Sequence, residues 1–359
     1  MKLEVKFEVD LGLETMYSGS ACMTQLIPFA RDRAIGFGWG IHSHNCLGRD
    51  EEYWFADITS DGVSKRVIPI ELTHRLNQLA ERSTVDGRKQ IRAFRFGEGI
   101  GLLVGTQEVY LFSGIHDEPR LIEVENPFTF FGTAKYPTSK TDSHYLPERC
   151  GHASAGVVPV IISSPQDRPG QGRHACLLSI DVDTGRARWL VDNGGLPRST
   201  RIADYEPFID PAVVAGINTS GSGGPRVQSP LLWDCAWIDS QWHLFVAGFW
   251  KPYSRFGASP ALLTRNHSDM SLLSKSFQAG EDSLGRICAS HDRVIITPLR
   301  KSGPKKGKQT IYTYADGQEH SVSLPRGYAK HQIEEYGNET YWLLRMPLGY
   351  DNSQVVACR

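Results

Sequence analysis

No stretch of this sequence is apolar for long enough to cross a bilayer. Its longest such runs, residues 156–162 and 244–250, fall far short of the roughly 20 residues that a spanning helix needs. No apolar leader core is visible either, because residues 1–10 alternate apolar and charged side chains; a secretory signal is not expected. An excess of charge is also missing: 39 Lys+Arg against 40 Asp+Glu give a net charge of −1. That balance argues against a generally basic nucleic-acid binder and against an acidic mimic. Cysteine is scarce and odd in number, 7 residues without a C-x-x-C pair, which predicts free thiols and a reducing, cytoplasmic setting. The nucleophile elbow G-x-S-x-G is absent. Residues 220–225, Ser-Gly-Ser-Gly-Gly-Pro, follow no expected strand and open no helix, so they are no P-loop. Nothing calls for a cofactor, and none is expected.

What is present is globular. The chain has 359 residues, 40% of them hydrophobic, with 8 Trp, enough to bury a substantial core. Leu3, Val5, Phe7 and Val9 alternate with charged residues, and a period of two puts them on one face of a half-buried strand. Similar short runs recur to the C-terminus. They are separated by Asp61-Gly62, Asp183-Thr184-Gly185, Asp239-Ser240, Asp316-Gly317 and Gly337-Asn338, sequences that suit tight hairpins. Only residues 71–82 carry helical spacing, through Leu72, Leu76 and Leu79.

A four-strand unit can be laid along the chain about six times, over residues 21–70, 91–125, 129–191, 231–277, 285–324 and 328–359. The first strand of the third unit is expected near 129–136 or 153–156. The last unit is one strand short, and residues 1–10 form a strand without a unit. A ring of repeats must close, and lending the first strand to the last sheet hides both edges. The expected fold is therefore all-β: a single β-propeller of six four-stranded blades over residues 1–359, with one short helix in an inter-blade loop. Leu178-x-x-Asp181-x-x-Thr184-Gly185-x-x-x-Trp189 resembles a propeller repeat of the quinoprotein-like (PQQ-type) kind. The resemblance covers one blade and implies that this segment is a blade's outer hairpin; it implies nothing about a cofactor.

In a propeller, links between second and third strands, and between blades, leave from one face. Nearly all the long segments fall there: residues 42–52, 71–90, 126–152, 165–174, 192–230, 251–259, 300–308 and 347–352. Long connections on a rigid scaffold are a common binding design. Their summed charge is roughly +4 to +6, with most of the excess in Arg300, Lys301, Lys305, Lys306 and Lys308, a run suited to an acidic partner or phosphate. The aromatic and basic cluster Trp250, Lys251, Tyr253, Arg255 and Phe256 has the composition of binding hot spots. Tyr145, His42 and His44 complete the candidate binding set. Readout of nucleic acid would want stacking aromatics beside the basic run, and nothing ties one to it.

Chemistry is weakly signalled. His42, His44 and Cys46, with Cys150 and His152, are the most metal-like residues, but their spacing matches no zinc module, and loop histidines with buried thiols are the simpler reading. Acids such as Asp204, Glu206 and Asp210 raise the question of glycoside hydrolysis, which needs two carboxylates at a set separation. Only Asp234, Glu334 and Glu335 fall in expected innermost strands. Two readings stay open. The first is a non-catalytic, cytoplasmic propeller that binds a macromolecular partner, a protein of acidic character, through its long-loop face, as an inhibitor, immunity protein or scaffold does. The second is a propeller hydrolase acting on a glycoside or ester at the channel mouth. Neither reading involves a membrane.

Overall fold

The computed structural model describes residues 1–16, 21–44, 48–81, 91–105, 107–125, 146–153, 156–163, 175–189, 226–238, 241–251, 261–266, 272–277, 285–290, 293–298, 308–313, 318–329, 331–337, 339–345 and 354–359. Strand β1 (Val5–Asp10) and a single helical turn α1 (Leu13–Met16) precede a first sheet of β2 (Ala21–Ala30), β3 (Arg33–His44), β4 (Gly48–Thr59) and β5 (Gly62–Val67). Helix α2 (Ile70–Glu81) leads to a second sheet of β6 (Ile91–Phe96), β7 (Gly99–Val104), β8 (Glu108–Phe112) and β9 (Arg120–Glu123). The third sheet contains β10 (Leu146–Cys150), β11 (Val157–Ser163), β12 (Ala175–Asp181) and β13 (Ala187–Trp189). The fourth contains β14 (Arg226–Ile238), β15 (Gln241–Lys251), β16 (Ala261–Asn266) and β17 (Leu272–Phe277). The fifth contains β18 (Gly285–Ser290), β19 (Arg293–Pro298), β20 (Lys308–Thr313) and β21 (Gln318–Ser323). The last three strands, β22 (His331–Gly337), β23 (Thr340–Arg345) and β24 (Gln354–Cys358), take β1 as their fourth, in the order β1-β24-β23-β22.

Every sheet is an antiparallel meander read from the inside outward. First strands of neighbouring sheets touch: β2 with β6, β6 with β10, β14 with β18, β18 with β22, and β22 with β2, while β14 also meets β10 and β11. The contacts therefore close a ring. This is a β-propeller.

The described core lies between adjacent sheets, as a ring of stacked sheets requires. One cluster joins Ile27, Phe37 and Phe55 of the first sheet to Ile91, Ile100 and Leu102 of the second. Another joins Phe94 and Leu103 to Val158, Val160 and Ile180 of the third. Trp54 of β4 and Trp342 of β23, both fully buried, meet in the cluster between the first and last sheets. The inner edge of β6 is closed by its neighbours' groups. The Gln25 side chain donates to Ala93 O (2.9 Å) and accepts from Ala93 N (2.6 Å), while Ala153 N donates to Arg95 O (2.8 Å).

Several local expectations need correction. Leu3, Val5, Phe7 and Val9 do not share one face. The β1–β24 register shifts between Val5 and Phe7, and a bulge of this kind turns the following side chains over. Leu3 consequently packs with Val322, Leu324 and Ile333 towards the fifth sheet. Phe7 and Val9 pack with Trp342 and Ala357 towards the first sheet, and Val5 is exposed. The third sheet's first strand lies at Leu146–Cys150 rather than near 129–136 or 153–156, and β14 starts at Arg226 rather than 231. Residues 42–52 are mostly hairpin and not loop, because β3 and β4 stay paired to His44↔Gly48. Cys150 likewise ends a strand. Helix α2 follows the leucine spacing, with Leu76 fully buried against the first two sheets and Leu72 half-buried there.

The segment resembling a quinoprotein-like repeat is indeed an outer hairpin, β12–β13. Its chemistry explains its consensus. The Asp181 carboxylate accepts the N–H groups of Asp183 and Thr184, both at 2.9 Å, and these bonds hold its pKa below the usual carboxylate range. Gly185 has φ +73°, and a Cβ there would meet Glu123 O at 2.2 Å. Its carbonyl accepts Glu125 N–H at 2.8 Å, so the turn stitches the third sheet to the second where only glycine fits.

Candidate functional site at the loop-bearing end

Strand order decides which end of each sheet carries the connections. At one end no link exceeds 113–119, and most span two residues, such as the turns 31–32, 60–61 and 97–98. At the other end lie 11–20, 68–90, 124–145, 164–174, 190–225, 252–260, 299–307 and 346–353, while 45–47, 105–107, 278–284 and 324–330 there are no longer than 113–119.

Among the residues singled out from sequence, Trp250 and Lys251 end β15, where they pair with Val227 and Arg226. Lys308 opens β20 and pairs with Ser323. His42 and His44 end β3 opposite Asp50 and Gly48. Tyr253, Arg255, Phe256, Lys301, Lys305, Lys306, Tyr145 and Cys46 lie outside the described residues, as do Asp204, Glu206 and Asp210. Of the metal-like residues, Cys150 is half-buried and burial pushes its thiol pKa up, as expected of a small packing residue. The Nδ1 atom of His152 accepts Arg95 N–H at 3.2 Å, a structural bond between the second and third sheets. Among the described residues, no three His, Cys, Asp or Glu side chains gather as metal ligands. No described helix is long and apolar enough to cross a membrane.

Two polar arrangements at this end have no local sequence signature. In the first, buried Glu108 opens β8, accepts the Tyr110 hydroxyl and pairs with Arg75 of α2. Burial, then the hydrogen bond to the carboxylate, pushes Tyr110 up to about 12. The pair anchors α2 on the second sheet. In the second, an open cleft of about 530 Å³ sits where β1 and β23 end and β22 and β24 begin. Glu8, Arg326, Tyr328, His331, Arg345 and Gln354 line it. Glu8 accepts from the Tyr328 hydroxyl and from Gln354 Nε2. Gln354 Oε1 lies 3.1 Å from His331 Nε2. Because the Gln354 amide nitrogen already faces Glu8, its oxygen is the acceptor and His331 Nε2 carries the proton. The buried Nδ1 has no partner among the described residues. Burial first, and the nearby Arg345 charge further, hold the imidazole pKa below its ordinary value despite the Gln354 bond. Its ring centroid is 4.8 Å from that of Tyr328. The seven lining residues, Gly327 included, come from four strand ends and one turn, so no window of sequence contains them together.

No protein family matches the chain, and no curated protein does. Solved structures resemble it at low identity. A GH43 β-1,3-galactosidase bound to galactodeoxynojirimycin is 10% identical, covering 75% of this chain and 89% of that one, with a TM-score of 0.39. TolB from Acinetobacter baumannii is 8% identical over 92% of this chain and 65% of its own, with a TM-score of 0.41. BamB from Moraxella catarrhalis is 10% identical over 99% and 97%, with a TM-score of 0.38. The propeller assignment rests on this chain's own strand order and ring closure.

Proposed function

We propose that this protein is a non-catalytic propeller that grips a protein partner with the end from which its long connections leave, acting as an inhibitor, immunity protein or scaffold in the cytoplasm. One observation carries the reading: connections as long as 190–225 leave one end of the sheets, whereas 113–119 is the longest at the other. Rigid sheets with variable segments at one end divide scaffold from recognition. The net positive charge of those segments favours an acidic partner. Half-buried Cys22 and Cys150 and buried Cys358 form no disulfide among the described residues, which is compatible with a reducing compartment. The hydrolase reading has less support. Glycoside hydrolysis uses two carboxylates, and Glu8 is the only acid among the described residues that line the cleft.

The test is affinity purification from the native host followed by sizing of the complex. A stoichiometric partner is expected, and charge reversal at Lys305, Lys306 and Lys308 should weaken its binding at least tenfold with the melting temperature unchanged. Absence of a partner together with turnover of a glycoside or ester panel would establish the hydrolase instead.

A further inference from the structure

The cleft on the last sheet has charge to spare. Arg326 and Arg345 line it, both residues are exposed, and neither side chain makes an ion pair or hydrogen bond with a described residue. Glu8, the one acid among the described lining residues, is engaged twice, by Tyr328 and by Gln354, and pairs with neither arginine. Burial disfavours a charge on His331, whose Nε2 faces Gln354 Oε1. The lining therefore carries two positive charges and one negative. Gly327, between Arg326 and Tyr328, has φ +94°, a conformation that suits glycine. The turn is tied by Tyr328 N–H to Pro325 O at 3.2 Å and by His331 N–H to Tyr328 O at 2.9 Å, which fixes the backbone that carries Arg326.

We propose that this cleft is a carboxylate-binding site in which Arg326 and Arg345 together receive one carboxylate. Guanidinium forks match that planar group bidentately. Charge selects the class: a monoanion brings the cleft to neutrality, whereas a phosphate dianion leaves a negative excess beside Glu8 and is repelled. The carboxylate belongs either to a free small acid or to an acidic residue of a polypeptide. The second source rests on the partner-binding reading above, because the cleft opens at the same end as the long connections.

The experiment is calorimetric titration of the purified full chain with four probes. These are N-acetylglycine, a blocked hexapeptide containing one glutamate, the same peptide with glutamine in its place, and inorganic phosphate. Saturable binding of at least one carboxylate probe is expected, with phosphate at least tenfold weaker and the glutamine peptide silent. Arg326→Gln and Arg345→Gln should each weaken binding about tenfold, as loss of a charge-assisted hydrogen-bond pair does, while the melting temperature holds. Glu8→Gln should tighten binding several-fold by removing the like charge, an effect that a purely structural role for Glu8 does not predict. Binding of N-acetylglycine as tight as that of the glutamate peptide assigns the site to small acids or chain termini; preference for the peptide assigns it to acidic side chains. Failure of every carboxylate probe, a preference for phosphate, or indifference to both arginine substitutions overturns the proposal. A carboxylate site confirmed here, with no partner recovered from the host, would leave this site standing and remove the partner-binding reading.

Discussion

Closure of the ring depends on β1, and its contribution can be measured through one aromatic pair. Trp342 is 0% exposed and meets Phe7 edge-on, with ring centroids 5.6 Å apart at 75°. Removing a buried indole exposes the loss of some 150–250 Å² of contact, and buried Trp→Ala changes cost about 3–5 kcal/mol. The Trp342 Nε1 proton has no partner among the described residues, so its removal also relieves an unsatisfied donor, and Trp342→Ala should fall near the lower end, about 3 kcal/mol. Phe7 is half-buried, and Phe7→Ala should cost about 2 kcal/mol, roughly half the value for a fully buried ring. An edge-to-face pair couples by about 1 kcal/mol beyond area, so the double variant should lose about 4 kcal/mol rather than 5. The assay is urea unfolding of the four proteins, with unchanged m-values as the check that one transition is being compared. Strict additivity, or a loss below about 1 kcal/mol for Trp342→Ala, would refute the claim that the N-terminal strand closes the ring through this contact.

Two further predictions concern places where local geometry is most restrictive. A Cβ at Gly101 would meet the Phe94 ring at 2.0 Å, so Gly101→Ala should destabilise by about 1–3 kcal/mol through overpacking between the second and third sheets; a neutral result in urea unfolding would mean that Phe94 repacks freely. Asp181, with its folded pKa depressed, contributes stability above its unfolded value near about 3.9 and loses it as pH falls through the folded value. Asp181→Asn keeps an oxygen for the Asp183 and Thr184 N–H groups but has no charge. The stability gap between wild type and this variant should therefore shrink from pH 7 to pH 3, and a gap independent of pH would show that the charge is irrelevant.

Much of the architecture is written locally. Period-two alternation, Gly- and Asp-rich turns and the leucine spacing of α2 each act over a few residues, so strand and helix identity can be read from short windows. The incomplete last unit made N-terminal closure legible too, because an unpaired edge has an energetic cost wherever it lies in sequence. The bulge between Val5 and Phe7 was not legible. Alternation in Met1–Asp10 is unbroken, and only pairing with β24 reveals that Leu3 and Phe7 serve opposite inter-sheet cores. The Asp181 turn was visible because all its parts lie within nine residues of Trp189. The cleft at Glu8, Tyr328, His331 and Gln354 was invisible because its parts come from both ends of the chain.

The near-balance of 39 basic and 40 acidic residues belongs to the sequence alone, as do the repeat and the placement of long segments between particular strands. Only the tertiary structure decides where individual charges meet. It ties Glu8 to Tyr328 and Gln354, pairs Arg75 with Glu108, and leaves Arg326 and Arg345 without a partner among the described residues beside one cleft. The physical reason is range: periodicity and turn preference are set by neighbours along the chain, whereas a salt bridge or an unpaired guanidinium depends on which distant strand ends the closed ring brings together.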